Sequence, residues 1–337
     1  MAKVLDALNG ALHHCMTTDE RVVVLGEDIL DPYGGAFKVT KGLSIAYGDR
    51  VRTTPVSESA IVGAATGMAL RGLRPVAEIM FGDFTTLIAD QLINHAAKFA
   101  TMYGTAVEVP LVVRTPMGGR RGYGPTHSQT LEKLYCGVPG LRVLAPAALG
   151  DPGALLTAAI LEDSGPVLFV ENKILYNTEV LAAGGDGDVA CTSVAGRGYA
   201  PAHVLTVRHG AAPSLTIASY GYAAELARQA LVRLAYEFEI FAELVVVGQL
   251  APCDLSPVAA SLRSTGRLLT VEEGSRTLGW GTEIVARSFE DLGPSLRAAR
   301  RVAMDDVVLP AAAPLELAVL PSVDDIVKAA VEVGTAA

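Results

Sequence analysis

Three short stretches carry side chains whose types and spacing suit chemistry. In GGRRGYGPTHSQ, residues 118–129, glycines at 118, 119, 122 and 124 surround two arginines and a histidine, directly after the apolar run VEVPLVVRTP. His127 there can act as acid, base or hydrogen-bond donor near neutral pH, or sit as a satisfied surface histidine. Arg120 and Arg121 can grip a carboxylate or phosphate, or form a solvated pair. The segment has neither the G-x-x-x-x-G-K-[ST] order of a phosphate cradle nor G-x-G-x-x-G after a strand, so its glycines read as permission for positive φ and mobility. In TTPVSESAIVGAATGMAL, Glu58 falls where a strand gives way to a helix of small, apolar residues. A carboxylate in that setting is partly desolvated, its pKa raised, and it can share a proton with a heterocycle nitrogen. The alternative is a helix-start glutamate favoured by the helix dipole. In IMFGDFTTLIADQLINHAAK, Phe84 ends a strand just before a helix at Thr85 or Thr86, where its ring can stack on a flat ligand or pack in the core. Asp90, Gln91, Asn94, His95 and Lys98 come next on neighbouring turns, as a solvated face or a subunit contact.

These residues need a scaffold, and the rest of the chain spells one. Short β-branched runs (RVVVLGED, PVAEIMF, PLVVRTP, LRVLAP, PVLFVEN) alternate with helical patterns, which predicts an α/β fold with a parallel sheet covered by helices on both faces. Loops at the carboxyl ends of such strands are where α/β proteins place ligands. From about Thr178 the pattern dissolves into Gly, Ala, Asp and Pro, then resumes at SLTIASYG and continues through FAELVVVGQL and RLLTVEEG. Residues 1–185 are therefore expected to form one domain, 186–212 a linker, and 213–337 a second α/β unit of about 125 residues, near the usual domain size. Gly185, Asp186 and Gly187 spell GDG, but no Asn pair comes after it at the distance a magnesium-binding motif requires, so this reads as a turn.

Composition narrows the function classes. With 337 residues, 50% hydrophobic and 19% charged, the chain can bury a large core. Net charge is −9 and no local basic patch stands out, which argues against a nucleic-acid partner. No apolar run approaches the ~20 residues of a membrane helix and the start lacks a secretory pattern, so a cytoplasmic location is expected. Cys15, Cys136, Cys191 and Cys253 are scattered, fitting neither a zinc site nor a disulfide framework, and read as buried thiols.

Taken in order, VVVLGEDI with GGAFKVTKGL, TTPVSESAIVGAATGMAL, AEIMFGDFTTLIADQLINHAAK, VPLVVRTPMGG…THSQ, PGLRVLAP, ENKILYN and LPSVDDIVKAAVEV resemble the beta subunit of the thiamine diphosphate-dependent 2-oxoacid dehydrogenases, in the transketolase superfamily. The likeness spans nearly the whole chain, and ENKILYN leans toward branched-chain and acetoin-type members. It implies a pyrimidine-binding domain followed by a transketolase C-terminal-like domain, with thiamine diphosphate at an interface with an alpha subunit that holds Mg²⁺ and the diphosphate. It also implies an α2β2 heterotetramer and docking to a lipoyl acyltransferase. By this resemblance Glu58 hydrogen-bonds the aminopyrimidine ring nitrogen, Phe84 packs against that ring, and His127 lies near the substrate and helps acyl transfer. Glu27, Asp90 and Glu171 fall where relatives place acids of a buried network. Potassium would be bound by the carbonyls of Leu111, Ala159 and Ile160 with an acid near Asp163, although ILEDSGP carries one extra residue there. The RRGYGPT loop departs from relatives, which usually have smaller residues, and points to an anionic substrate or a different acyl carrier.

Three readings of function are open. The first is a dehydrogenase subunit that, with its alpha partner, decarboxylates a 2-oxoacid and passes the acyl unit to a lipoyl group. The second is half of a split transketolase or carboligase with an aldehyde or carrier acceptor. The third is a non-catalytic scaffold, against which Glu58, Phe84 and His127 in their motif contexts argue.

Overall fold

Runs that are apolar on both sides become central strands, because a parallel strand covered by helices has no solvent face to mark with polar residues. A computed structural model describes residues 2–104, 106–196 and 198–334. Among these, the first sheet contains β1 (Val22–Gly26), β2 (Val51–Thr53), β3 (Arg74–Glu78), β4 (Val112–Met117), β5 (Arg142–Leu144) and β6 (Val167–Asn172). The second contains β7 (Val189–Val194), β8 (Ala202–Val207), β9 (Leu215–Ser219), β10 (Ala242–Val247), β12 (Arg267–Ser275) and β13 (Ala298–Met304). The intervening β11 (Gln249–Ala251) leaves its neighbours and pairs antiparallel with β5, giving the first sheet the order β11-β5-β6-β4-β3-β1-β2. The second sheet runs β13-β12-β9-β10-β8-β7, parallel through β10 and antiparallel beyond it.

The helices are α1 (Val4–Thr18), α2 (Leu43–Tyr47), α3 (Glu58–Leu70), α4 (Thr85–Asp90), α5 (Phe99–Met102), α6 (Lys133–Cys136), α7 (Pro152–Leu161), α8 (Ala223–Phe238), α9 (Ser256–Thr265), α10 (Trp280–Leu292), α11 (Ala313–Val319) and α12 (Val323–Gly334). Helices α1 and α7 pack together on one face of the first sheet around Leu8, Leu12, Leu156 and Phe169. On the other face a single apolar cluster runs from Ile61 and Leu92 through Met117 to Tyr220, Val245 and Trp280, so the two α/β units share a core. Between α4 and α5 the helix expressed in TTLIADQLINHAAK loosens into a π-helical turn at Gln91–Ala96.

Residues 186–212, expected as a linker, instead carry β7 and β8, an antiparallel pair that widens the second sheet. Only Val189 and Cys191 are buried along β7, so its period-two signal is too short to stand out between glycines. Gly185-Asp186-Gly187 lies in the turn just before it. All four cysteines are free; Cys15 and Cys191 are buried and the other two partly so. No helix among the described residues is long and apolar enough to cross a membrane.

Strand β12 brings a carboxylate into the shared core. Glu272 is 1% exposed, and its Oε1 accepts the Gly281 N–H at 2.9 Å in the first turn of α10. Burial pushes this carboxyl up to about 7, opposed by the Gly281 N–H and reinforced by the charge of Glu132. A carboxyl whose folded pKa exceeds its unfolded value contributes stability that is complete below the unfolded value, near ~4.3, and lost as pH rises through the folded one. Glu272→Gln should therefore gain on the wild type by on the order of 3–4 kcal/mol between acid pH and pH 8 in urea melts. A difference that stays constant with pH would contradict this.

Candidate active site

The carboxyl ends of β1, β3, β4 and β6, with the first turn of α3, bring the chemistry-bearing residues to one end of the first sheet. Glu58 is the first residue of α3 and Glu27 directly follows β1; both are 7% exposed. Burial pushes the Glu27 carboxyl up, and the charges of Glu58 and Asp28 push it further, against the Ser57 N–H. Glu27 Oε1 is buried without a hydrogen-bond partner. A buried Glu27 carboxyl raised by its surroundings, with one unsatisfied oxygen and Glu58 beside it, forms a place for a ligand N–H.

Beside them lies an aromatic cluster. The His127 ring is edge-on to Phe81 at 4.8 Å and to Phe84 at 5.2 Å between centroids, and Phe81 meets Tyr123 at 6.0 Å. His127 Nδ1 is 3.0 Å from the Thr126 hydroxyl. Among the described residues no hydrogen bond or ring contact joins Glu58 to Phe84 or His127; its electrostatic neighbour is Glu27. Asp83 accepts from Gln129 Nε2 at 2.7 Å, tying the loop's far end to the turn that carries Phe84.

The loop itself turns over Gly118, whose φ is +95° and where an added Cβ would lie 2.3 Å from Asn172 Nδ2. Beyond it, Glu273 accepts the Gly119 N–H at 2.8 Å, and Glu316 accepts the N–H groups of Arg120 at 2.9 Å and Gly122 at 3.0 Å. Arg120, whose position in the sequence suggests a grip for an anion, turns to the second domain. It donates to Pro321 O, lies 3.5 Å from Glu273 Oε2 and stacks over Tyr222. Arg121 stays exposed and donates to Lys173 O at 3.1 Å.

Several contributors to the site are not evident from the sequence pattern. Lys173 is fully buried at the end of β6 and donates from Nζ to the His127 carbonyl. Burial brings its amine down to about 8, opposed by Asp83, Glu273 and Glu316. Beneath the site Arg114, 1% exposed, pairs with Glu78 and, through two parallel bonds of 2.8 Å, with Glu171, which also accepts from Tyr176. A signal for this network exists: an arginine inside LVVRTP must find carboxylates on neighbouring strands, and Glu78 is its register partner. Asp90, expected among buried acids, is exposed on α4 and accepts from Asn94 at 2.8 Å. The expected potassium ligands lie at the opposite end of the sheet. There Leu111 O accepts the Val167 N–H at 2.8 Å, Ile160 O and Asp163 O accept from Arg74, and the Asp163 carboxylate pairs with Arg142.

Comparison with known proteins agrees with this architecture. Residues 1–179 match the transketolase pyrimidine binding domain and residues 203–326 the transketolase C-terminal domain. The chain is 39% identical to the mitochondrial pyruvate dehydrogenase E1 component subunit beta-1 of Arabidopsis thaliana, covering 97% of this chain and 87% of that protein. It is 38% identical to the beta subunit of the acetoin:2,6-dichlorophenolindophenol oxidoreductase of Cupriavidus necator (96% and 95% covered). It is 36% identical to the 3-methyl-2-oxobutanoate dehydrogenase subunit beta of Mycobacterium tuberculosis (88% and 81%). Among solved structures a split gene transketolase, an inactive beta4 tetramer, superimposes with a TM-score of 0.76 over 100% of this chain and 99% of that one, at 22% identity, a likeness of fold. The chain belongs to the E1 beta subunits of the thiamine diphosphate-dependent 2-oxoacid dehydrogenases.

Because Glu316 alone accepts two N–H groups of the loop, Glu316→Ala should free the Arg120–Gly122 turn. Limited trypsin digestion is expected to cut at Arg120 or Arg121 several-fold faster in the variant, with an unchanged circular dichroism spectrum. Equal cleavage rates would show that Glu273 and Pro321 suffice to hold the loop.

Proposed function

We propose that this chain, paired with an alpha subunit in an α2β2 assembly, forms the site that decarboxylates a 2-oxoacid and transfers the acyl unit to a lipoyl group. The observation that carries the reading is the Glu58–Glu27 pair with its buried, unpartnered oxygen at the head of α3. These residues fit the aminopyrimidine half of thiamine diphosphate: the Glu58 carboxyl would meet a ring nitrogen, and Glu27 Oε1 would be available to an exocyclic N–H. When bound, the cofactor supplies the electron sink that lets a 2-oxoacid lose carbon dioxide. Phe84, with Phe81, offers an apolar wall for its flat ring. Mg²⁺ and the diphosphate fall to the alpha subunit. Val56, 81% exposed beside Glu58, and Leu87, 55% exposed on α4, give the rim the apolar character of an interface.

His127 then acts on the substrate side. With Nδ1 engaged by Thr126, proton exchange with the reacting acyl group goes through Nε2. Lys173 fixes the backbone at that residue and Glu316 the start of the loop, so the imidazole is positioned without occupying Nε2. Arg121, exposed at the rim, is the residue we assign to meeting an anionic carrier. The extent of identity to dehydrogenase subunits favours this reading over a split transketolase, whose likeness is at the level of fold.

In the reconstituted complex, Glu58→Gln should lower turnover by at least ~100-fold, as for loss of an essential acid-base group. Near-normal turnover would refute the assignment. His127→Ala is expected to leave cofactor binding intact while slowing acyl transfer, and a lost cofactor signal would contradict that role. Assays of the wild-type pair with lipoamide and with aldehyde acceptors separate the two acceptor chemistries; absence of acyl-lipoamide from every 2-oxoacid tried would reject the dehydrogenase reading.

A further inference from the structure

We propose that the guanidinium of Arg74 is the resident cation at the carboxyl end of α7, and that this turn takes no potassium ion. Helix α7, PGALLTAAIL, ends beneath the sheet, where its last carbonyls have no partner within the helix and the dipole's negative end is exposed. Two acids, Glu162 and Asp163, come immediately after it and add to the negative charge. Such an end demands a cation, and two sources exist: a bound ion, or a basic side chain reaching the free carbonyls.

The side chain is in place. Arg74 opens β3 with its side chain 13% exposed, and a single nitrogen, Nη1, donates to Ile160 O at 2.8 Å and to Asp163 O at 3.0 Å. Its Nε lies 3.8 Å from Asp19 Oδ2, which anchors the other edge of the guanidinium. Several neighbouring oxygens are committed as well. The Asp163 carboxylate accepts from Arg142 Nε at 2.6 Å and from the Tyr199 hydroxyl at 2.7 Å. Ser164 O accepts the Val109 N–H, Pro166 O the Arg142 N–H and Leu111 O the Val167 N–H. An ion coordinated by Ile160 and Asp163 would share their oxygens with a fixed positive charge at contact distance, in a site screened poorly by solvent. The extra residue in ILEDSGP accompanies this arrangement, with the Asp163 carboxylate directed to Arg142 and Tyr199. The inference concerns the base of the sheet and stands whatever acceptor the active site uses.

Two measurements on the alpha–beta complex test it. Crystals soaked in thallium(I), a potassium mimic with strong anomalous scattering, should show no peak within bonding distance of Ile160 O or Asp163 O; a peak there overturns the proposal. Arg74→Ala should lower Tm by several degrees whichever monovalent chloride is present at equal ionic strength, as expected for uncapped buried carbonyls. An unchanged Tm would also overturn it. Should that variant fail to assemble, Arg74→Lys, which keeps the charge with fewer donors, is read in the same way and should melt below the wild type.

Discussion

A backbone loop laid across the end of a buried sheet exposes N–H groups to a place where water is scarce, and each one left unpaired costs about 1–3 kcal/mol. Glu273 and Glu316 meet that demand for residues 119, 120 and 122, and they come from the second domain. The rest of the active-site end depends on this. The loop's position fixes where His127 meets Phe81 and Phe84, and the acceptors for its backbone exist only when the two α/β units are docked. The shared apolar cluster and the β11–β5 pairing therefore do more than bury area: they hold Glu273 and Glu316 at the right depth.

Below the loop the same logic runs through charge. A guanidinium between strands is tolerable only when carboxylates pair with it on both sides, and Arg114 has Glu78 and Glu171. That triad spans β3, β4 and β6, the strands whose ends carry Phe81, the loop and Lys173. Burial pushes the Glu78 carboxyl up against the pull of Arg114, so its cost falls on the fold while its geometric effect falls on the site. A buried ion network across three strands is a poor source of stability and a good way to fix their register.

The parts legible in the sequence are those whose signal is local. Doubly buried strands announce themselves as unbroken β-branched runs, and Glu58, Phe84 and His127 sit at punctuated junctions where glycine, proline or a change of periodicity marks a loop. Pairings across long sequence separations leave no such mark. Arg120 looks like an anion grip until Tyr222 and Glu273, both far along the chain in the second domain, are brought beside it. QLA is too short to read as a strand, and nothing in it says that it will cross to the other sheet. Asp90 misleads for the opposite reason: its motif context suggests burial, but its helical face points outward in this chain.

The two ends of the first sheet present mirror problems. At the carboxyl ends of the strands, unpaired N–H groups call for anions, and glutamates from the second domain supply them. At the amino ends, unpaired carbonyls of α7 call for a cation, and Arg74 supplies it from within the same domain. The difference in source sets what each cap depends on. A cap supplied from the same domain keeps its geometry with that sheet, whereas one supplied by the second domain depends on how the two units are docked. One end is closed from within its own sheet, and the other by glutamates carried on the second domain.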